Sequence, residues 1–300
     1  MSAVAFFGAI ETGLLYGFLS LGVYLSFRVL KFPDLTVDGS FPLGAAVTGT
    51  LIVAGWNPFL ATGVAILAGA AAGLCTAILS VRFGILNLLA SILTMIALYS
   101  INLRIMGKPN LSLLNQPSVL APFETLVTKV MANAPLLVMP IVLLAGVGLA
   151  KVLVDAFLNS QLGLAMRATG LNPVMAEAQG INTGRLILLG MALSNGLAAL
   201  SGALFAQLYG FADVTLGVGT VVVGLATEIL GEALLPSGSV VLATLAVVLG
   251  SVLYRVAIAL ALNAGFLGFQ AQDLNLVTAI LVVLALTLPK PSWTRRQASK

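Results

Sequence analysis

Ten carboxylates, fourteen ammonium or guanidinium groups and a single thiol are the charged and thiol side chains this sequence offers for chemistry, and it contains no histidine. Without an imidazole the commonest general base and metal ligand near neutral pH is absent. Cys75 alone can form neither an internal disulfide nor a thiolate metal cage, and between Leu74 and Thr76-Ala77-Ile78 it reads as a small buried hydrophobe. An intramembrane enzyme would need a nucleophile and a base, for which candidates are thin. The reading therefore carries no catalytic residue, no cofactor, no metal and no nucleic-acid partner. What remains is chemistry without covalent steps, in which polar groups receive and pass on a solute. Asp34, Thr36, Asp38, Asp213 and Thr215 are the candidates for lining such a route. Glu11 and Tyr16 open a stripe at roughly helical spacing that continues through Ser20 and Tyr24. Helix-end snorkelling or an interhelical bond is the structural alternative for each. A charge at the centre of a span costs about 2.5–3.5 kcal/mol on insertion scales, so Glu11, Glu228, Glu232 and Arg255 must face protein, water or one another.

The elements that position these groups are set by composition. Of 300 residues 60% are apolar and 8% charged, and mean hydropathy is +1.11. Charged residues make up about a quarter of an ordinary soluble domain, so lipid is the expected solvent. A crossing takes about 20 apolar residues. Runs of that kind fall at 4–28, 58–81, 84–106, 135–158, 185–210, 238–262 and 272–289. Two shorter runs, 41–56 and 217–235, are rich in small residues and follow polar breaks, as expected of helices that start or stop inside the bilayer against protein. The expected fold is all-α and polytopic, with about nine transmembrane helices (eight to ten), some discontinuous, forming one membrane domain over 1–289. The start lacks the basic leader of a cleavable signal and reads as a retained first helix.

Loops rich in Lys and Arg stay cytoplasmic. Lys290, Arg295, Arg296 and Lys300 place the 290–300 tail inside, and counting back puts Arg28, Lys31, Arg82, Lys151, Arg167 and Arg185 inside as well. The N-terminus is then extracytoplasmic, provided both short runs cross fully. The segment 107–134 falls outside, with 123–132 expected as a short surface helix where a soluble partner could rest.

Inside lies 159–185, which breaks into two short helices with legible ends. Asn159 or Ser160 caps the first, and Gly170 stops it in the left-handed conformation. Asn172 caps the second, Pro173 suits its first turn, and Gly180 ends it. Helices this short are not stable alone in water and need a surface to dock on, with Ala165, Ala168, Ala176 and Ala178 permitting close approach to a partner groove.

The run GLAMRATGLNPVMAEAQGIN followed by LILLGMALSNGLAALSGALFA resembles the coupling loop and next helix of ABC-importer permeases of the branched-chain amino acid and ribose branch. The resemblance extends to GLLYGFLSLGVYLSFRVLKFPDLTVDGSFPLGAA and covers most of the chain. It implies that Gly163, Arg167, Ala168, Gly170, Asn172, Pro173, Ala176 and Gly180 meet a cytoplasmic ATPase, and it implies a substrate-binding protein outside, a second permease copy, and residence in the bacterial inner membrane. The break Phe32-Pro33-Asp34-Leu35-Thr36-Val37-Asp38-Gly39 departs from the Asn-Phe-Ala-His-Gly type of the branched-chain permeases and resembles a sub-branch associated with tryptophan or tyrosine uptake.

A shift of 179 residues lays Phe32, Asp34 and Thr36 on Phe211, Asp213 and Thr215, and Gly17 on Gly196. With nine spans the two helices concerned run oppositely, the register of an inverted repeat, as in type II importers of the vitamin B12 kind minus their first helix. The sequence has no G-x-x-x-x-G-K-[ST] phosphate loop, so energy for import must come from another chain. The alternative is an ATPase-independent secondary transporter or channel in which an acid such as Glu228 couples an ion.

Overall fold

Apolar runs become helices because lipid offers backbone groups no partner. The computed structural model describes residues 3–130, 135–235, 238–263, 280 and 283. Helix α1 (Ala3–Val23) continues through a π-helical turn, Tyr24–Val29, and is followed by α2 (Val37–Val53), α3 (Pro58–Val81), α4 (Asn87–Met106), strand β1 (Asn110–Ser112), α5 (Ala121–Val130) and α6 (Val138–Asn159). Then come α7 (Gln161–Leu171), α8 (Pro173–Ala178), α9 (Thr183–Tyr209), β2 (Phe211–Asp213), a 3-10 turn at Val214–Gly217, α10 (Thr220–Leu234) and α11 (Val240–Asn263). Seven segments among the described residues are long and apolar enough to cross a membrane, and α2 is a shorter apolar helix. Apart from Ile280 and Val283, the run 272–289 and the 290–300 tail lie outside the described residues.

Helix α9 is the axis of the bundle. It runs antiparallel to α1, since the Ser194 and Ser201 hydroxyls donate to the carbonyls of Gly22 and Leu15, each at 2.7 Å. It packs on α3 where Gly69 and Gly73 lie over the Asn195 and Met191 carbonyls, the close approach their spacing predicts. It crosses α2 even more tightly. A Cβ added at Gly44 would lie 1.9 Å from the Ala199 oxygen, and one at Gly202 1.9 Å from the Phe41 oxygen, so only glycine fits on either side.

One end of the bundle carries Arg28, Lys31, Arg82, Arg167 and Arg185 and is termed the basic face. The other carries a small antiparallel pairing of β1 with β2, Leu111 opposite Ala212, and is termed the hairpin face. On α3, α4 and α6, Leu67, Ile96, Leu149 and Leu153 point outward with 58–70% exposure, as suits side chains facing lipid rather than water. Cys75 joins them on the outer surface instead of being buried, because its α3 neighbours Thr76 and Ala77 take the inward positions.

Candidate functional site

The break between α1 and α2 begins with the π turn, where the Leu30 N–H donates to the Leu25 carbonyl and the Phe32 N–H to Ser26. Single π turns inside helices are uncommon and frequent at functional sites. Lys31 then takes a left-handed φ of 54°, rare for a residue with a side chain, and the chain turns back into the bundle. Asp34 sits there fully buried. Its carboxylate accepts from the Thr36 N–H at 2.9 Å and from Asn195 Nδ2 at 2.7 Å. Asn195 Oδ1 in turn accepts from the Ser40 hydroxyl, and the Thr36 and Thr76 hydroxyls bond to each other, both at 2.7 Å. Asn195 lies about 18 Å along α9 from Thr183, so α2 starts within the bundle rather than at its surface. The network ties that internal start to α3 and α9. Asp34 and Thr36 are thus placed in a closed polar core, with their acceptors and hydroxyls engaged.

Asp38 does something the sequence does not announce. Its carboxylate accepts from the Gly219 N–H at 3.2 Å, and from the Thr220 hydroxyl and Val221 N–H, both at 2.8 Å. Gly219 has no capping side chain of its own. An acid from α2 therefore caps α10 across 181 residues of chain and places negative charge at the positive end of its dipole.

Asp213 and Thr215 stand on the hairpin face, away from Asp34. The Asp213 carboxylate accepts from the Thr215 N–H at 2.7 Å, the Thr215 hydroxyl at 2.6 Å and Asn110 Nδ2 at 3.1 Å. Burial pushes this carboxyl up, but the Thr215 and Asn110 hydrogen bonds outweigh it and hold the group below the usual carboxylate value. The turn Asp213 forms with the Thr215 N–H is the one Asp34 forms with the Thr36 N–H, so the two F-x-D-x-T triplets share a local geometry.

Glu11 and Tyr16 converge with residues that no sequence signal grouped with them. The guanidinium of Arg255 on α11 lies 3.7 Å above the Tyr16 ring. Tyr16 also meets Phe41, and Phe41, Phe205 and Tyr209 continue an aromatic file toward the hairpin face. The Thr12 hydroxyl and Tyr209 hydroxyl meet at 2.5 Å, and Glu11, Arg255 and Tyr16 are all close enough to Tyr209 to act on it electrostatically. Farther along the stripe Ser20 accepts from the Thr227 hydroxyl on α10 at 2.8 Å, an interhelical bond.

At the basic face α7 and α8 have the predicted caps. Ser160 accepts from the Gly163 N–H, Asn172 accepts from the Met175 N–H, Pro173 occupies the first turn and Gly180 adopts φ 81°. Two expectations are corrected. Gly170 does not stop α7 in the left-handed conformation: the helix runs on to Leu171, and Gly170 is buried because a Cβ there would lie 1.8 Å from the Val29 oxygen of the π turn. Second, the small-residue face is split: Gly163 packs on the end of α6, where a Cβ would meet the Phe157 oxygen at 2.2 Å, and Ala176 is buried within this chain, whereas Ala165 is half-buried and Ala178 exposed. Arg167 and Ala168 are half-buried, while Asn172, Pro173 and Gly180 are exposed. The outward surface is made by Leu171, Val174 and Met175, with 74%, 76% and 61% exposure. The sequence signal for these three was available, since they are the apolar residues flanking the Asn-Pro turn.

Behind α7 the π turn reaches α10. Arg28 Nη2 lies 2.6 Å from Glu232 and its Nε 3.9 Å from Glu228. Lys151 pairs with Asp155 on α6 at 2.6 Å, and Asp155 accepts from Thr244 of α11 at 2.5 Å.

Comparison with known proteins agrees with this architecture. The sequence profile of the family described as "Branched-chain amino acid transport system / permease component" matches residues 5–287. The tyrosine transport system permease protein of Clostridioides difficile (strain R20291) is 42% identical over 271 residues, covering 90% of this chain and 86% of that protein. An uncharacterised protein of Rickettsia prowazekii (strain Madrid E) is 39% identical over 214 residues, 70% of this chain and 71% of its own. No solved structure matches the chain. A match over nearly the whole length, on a helical bundle with seven membrane-length segments, makes the chain a multi-pass permease of the branched-chain amino acid transport family.

Proposed function

We propose that this permease is the membrane-spanning half of an ATP-driven importer of an amino acid with an aromatic side chain, working by alternating access in the bacterial inner membrane. The carrying observation is the two-faced α7–α8 segment, whose buried small residues lock into the bundle while Leu171, Val174 and Met175 form an exposed apolar knuckle between exposed polar neighbours. A knuckle of this kind on the basic, cytoplasmic face fits a groove of a separate ATPase. Gly163, Gly170 and Ala176 act as the fixed side of the lever, Arg167 and Ala168 as its half-buried flank, and Asn172, Pro173 and Gly180 as the frame of the knuckle. Motion of α7 passes to the π turn through the Gly170–Val29 contact and on to α10 through Arg28. Asp34, Thr36 and Asp38 hold the internal helix starts that bound the route.

The remaining features fit this reading. With 272–289 as a ninth crossing the 290–300 tail is cytoplasmic, and the N-terminus and the hairpin face are extracytoplasmic, where a binding protein delivers cargo. The shared turn of the two F-x-D-x-T triplets and the antiparallel α1 and α9 support an inverted repeat. Two copies of the chain form the path. The aromatic cargo is argued from the 42% identity to the tyrosine permease.

The test is co-purification. Tagged permease carrying Leu171→Asp, Val174→Asp and Met175→Asp, at normal membrane abundance, is expected to lose the ATPase that the unaltered chain retains. Retention of the ATPase by the triple variant overturns the docking claim. Uptake persisting in cells deleted for every such ATPase favours the ATP-independent alternative.

A further inference from the structure

The geometry points to a carboxylate-receiving site on the hairpin side of the bundle, built from Arg255 of α11, Tyr16 and Thr12 of α1, and Tyr209 of α9. This inference rests on the amino-acid import reading and deepens it by naming where the cargo's acid group is first held inside the membrane.

Three observations carry it. A cavity of about 280 Å³ opens between α1, the end of α9 and α11, with Arg255, Thr12 and Tyr209 as its polar lining. That is just under the ~300–1,000 Å³ typical of sites for drug-sized ligands, and suits a smaller zwitterion. Beside it the cation of Arg255 is held over the Tyr16 ring at 3.7 Å. Its Nε is buried and has no hydrogen-bond partner among the described residues. A guanidinium inside an apolar bundle is expensive unless an anion or water meets it, and its planar fork suits the two oxygens of a carboxylate. The Thr12–Tyr209 hydroxyl pair can turn a proton toward the same anion. Tyr209 of the lining gives an aromatic side chain a ring against which to pack.

A second source of the same oxyanion chemistry is the phosphate of an anionic lipid, and the experiment separates the two. The complete transporter is placed in nanodiscs of phosphatidylcholine, with or without phosphatidylglycerol, and treated with phenylglyoxal. Modification of Arg255 is followed by mass spectrometry in the presence of L-tyrosine or tyramine, which lacks the carboxylate. The site predicts that L-tyrosine slows modification several-fold in both lipids and tyramine does not. Protection that follows phosphatidylglycerol and ignores L-tyrosine assigns the guanidinium to a lipid headgroup and overturns the proposal, as does equal protection by tyramine or none by either. In parallel, Arg255→Gln is expected to lower L-tyrosine uptake at least tenfold in proteoliposomes while ATP hydrolysis persists. Wild-type uptake that Arg255→Gln leaves unchanged also overturns the site. Should the unaltered transporter carry no L-tyrosine while the amino acid still shields Arg255, the import reading fails and the site stands.

Discussion

Replacing Gly170 with alanine perturbs a close backbone contact between α7 and the π turn. The new Cβ would lie 1.8 Å from the Val29 carbonyl oxygen, 2.9 Å from its carbon and 3.1 Å from the Leu30 Cα, all of them backbone atoms that cannot rotate aside. Restoring an ordinary contact of 3.4 Å requires the two segments to part by about 1.6 Å. Overpacking of this kind costs about 1–3 kcal/mol, and alanine returns up to about 1 kcal/mol through its better helix propensity, so the net loss is about 0–2 kcal/mol. The bundle should therefore fold with a modestly lowered melting temperature while the displaced lever transmits poorly. In proteoliposomes the expected result is near-normal ATP hydrolysis with uptake per ATP reduced several-fold. Gly148→Ala on α6, where a Cβ meets nothing within 4 Å, is the control and should leave both quantities unchanged. A Gly170→Ala transporter with wild-type melting and wild-type uptake per ATP would refute the argument that this contact carries motion.

Asp38→Ala removes the acceptor for two N–H groups and a hydroxyl at the start of α10; loss of a cap together with unsatisfied buried donors should cost roughly 2–4 kcal/mol, read as a lowered melting temperature in detergent. Arg28→Ala should cost less than about 1 kcal/mol, since the Arg28 side chain is 57% exposed and such pairs are weak. Its effect should instead be on access at the basic face, read as faster maleimide labelling of a cysteine introduced there in a Cys75→Ser background. For Asp213 the folded pKa lies below the ordinary value of 3.8. Its contribution is therefore fully present above that value and is lost only as pH falls through the depressed one. Hydrogen exchange at the Thr215 amide should stay protected from pH 7 down to about 4 and lose protection only in stronger acid, and absence of that acid-dependent loss in the Asp213→Asn variant, which has no carboxyl to protonate, would locate the effect in this carboxylate.

Much of the bundle is legible in the sequence because lipid imposes a simple rule: an apolar run of sufficient length must be a helix. The 58–81 run coincides with α3, and the α7 and α8 caps follow from Ser160, Asn172 and Pro173, whose signals are local. Features made by contact across the chain were not legible. The Gly170 signal is ambiguous, since a glycine ending a helix and a glycine under a neighbouring carbonyl look alike in one dimension. Asp38 capping α10 and Arg255 stacking on Tyr16 join residues 181 and 239 positions apart, and the β1–β2 pairing comprises three-residue strands whose pattern is too short to read. The repeated F-x-D-x-T triplet singles out Asp34, but only the fold reveals that Asn195 and Thr36 occupy its carboxylate.

Concentrative uptake in vesicles containing the purified permease, its binding protein and lipid, measured with and without the ATPase and ATP, bears most directly on whether the α7–α8 knuckle is driven by a nucleotide motor. The account predicts accumulation above the external concentration only when both are present, and none when Leu171, Val174 and Met175 are replaced by aspartate. Accumulation at an undiminished rate without the ATPase, or with the knuckle destroyed, would contradict it.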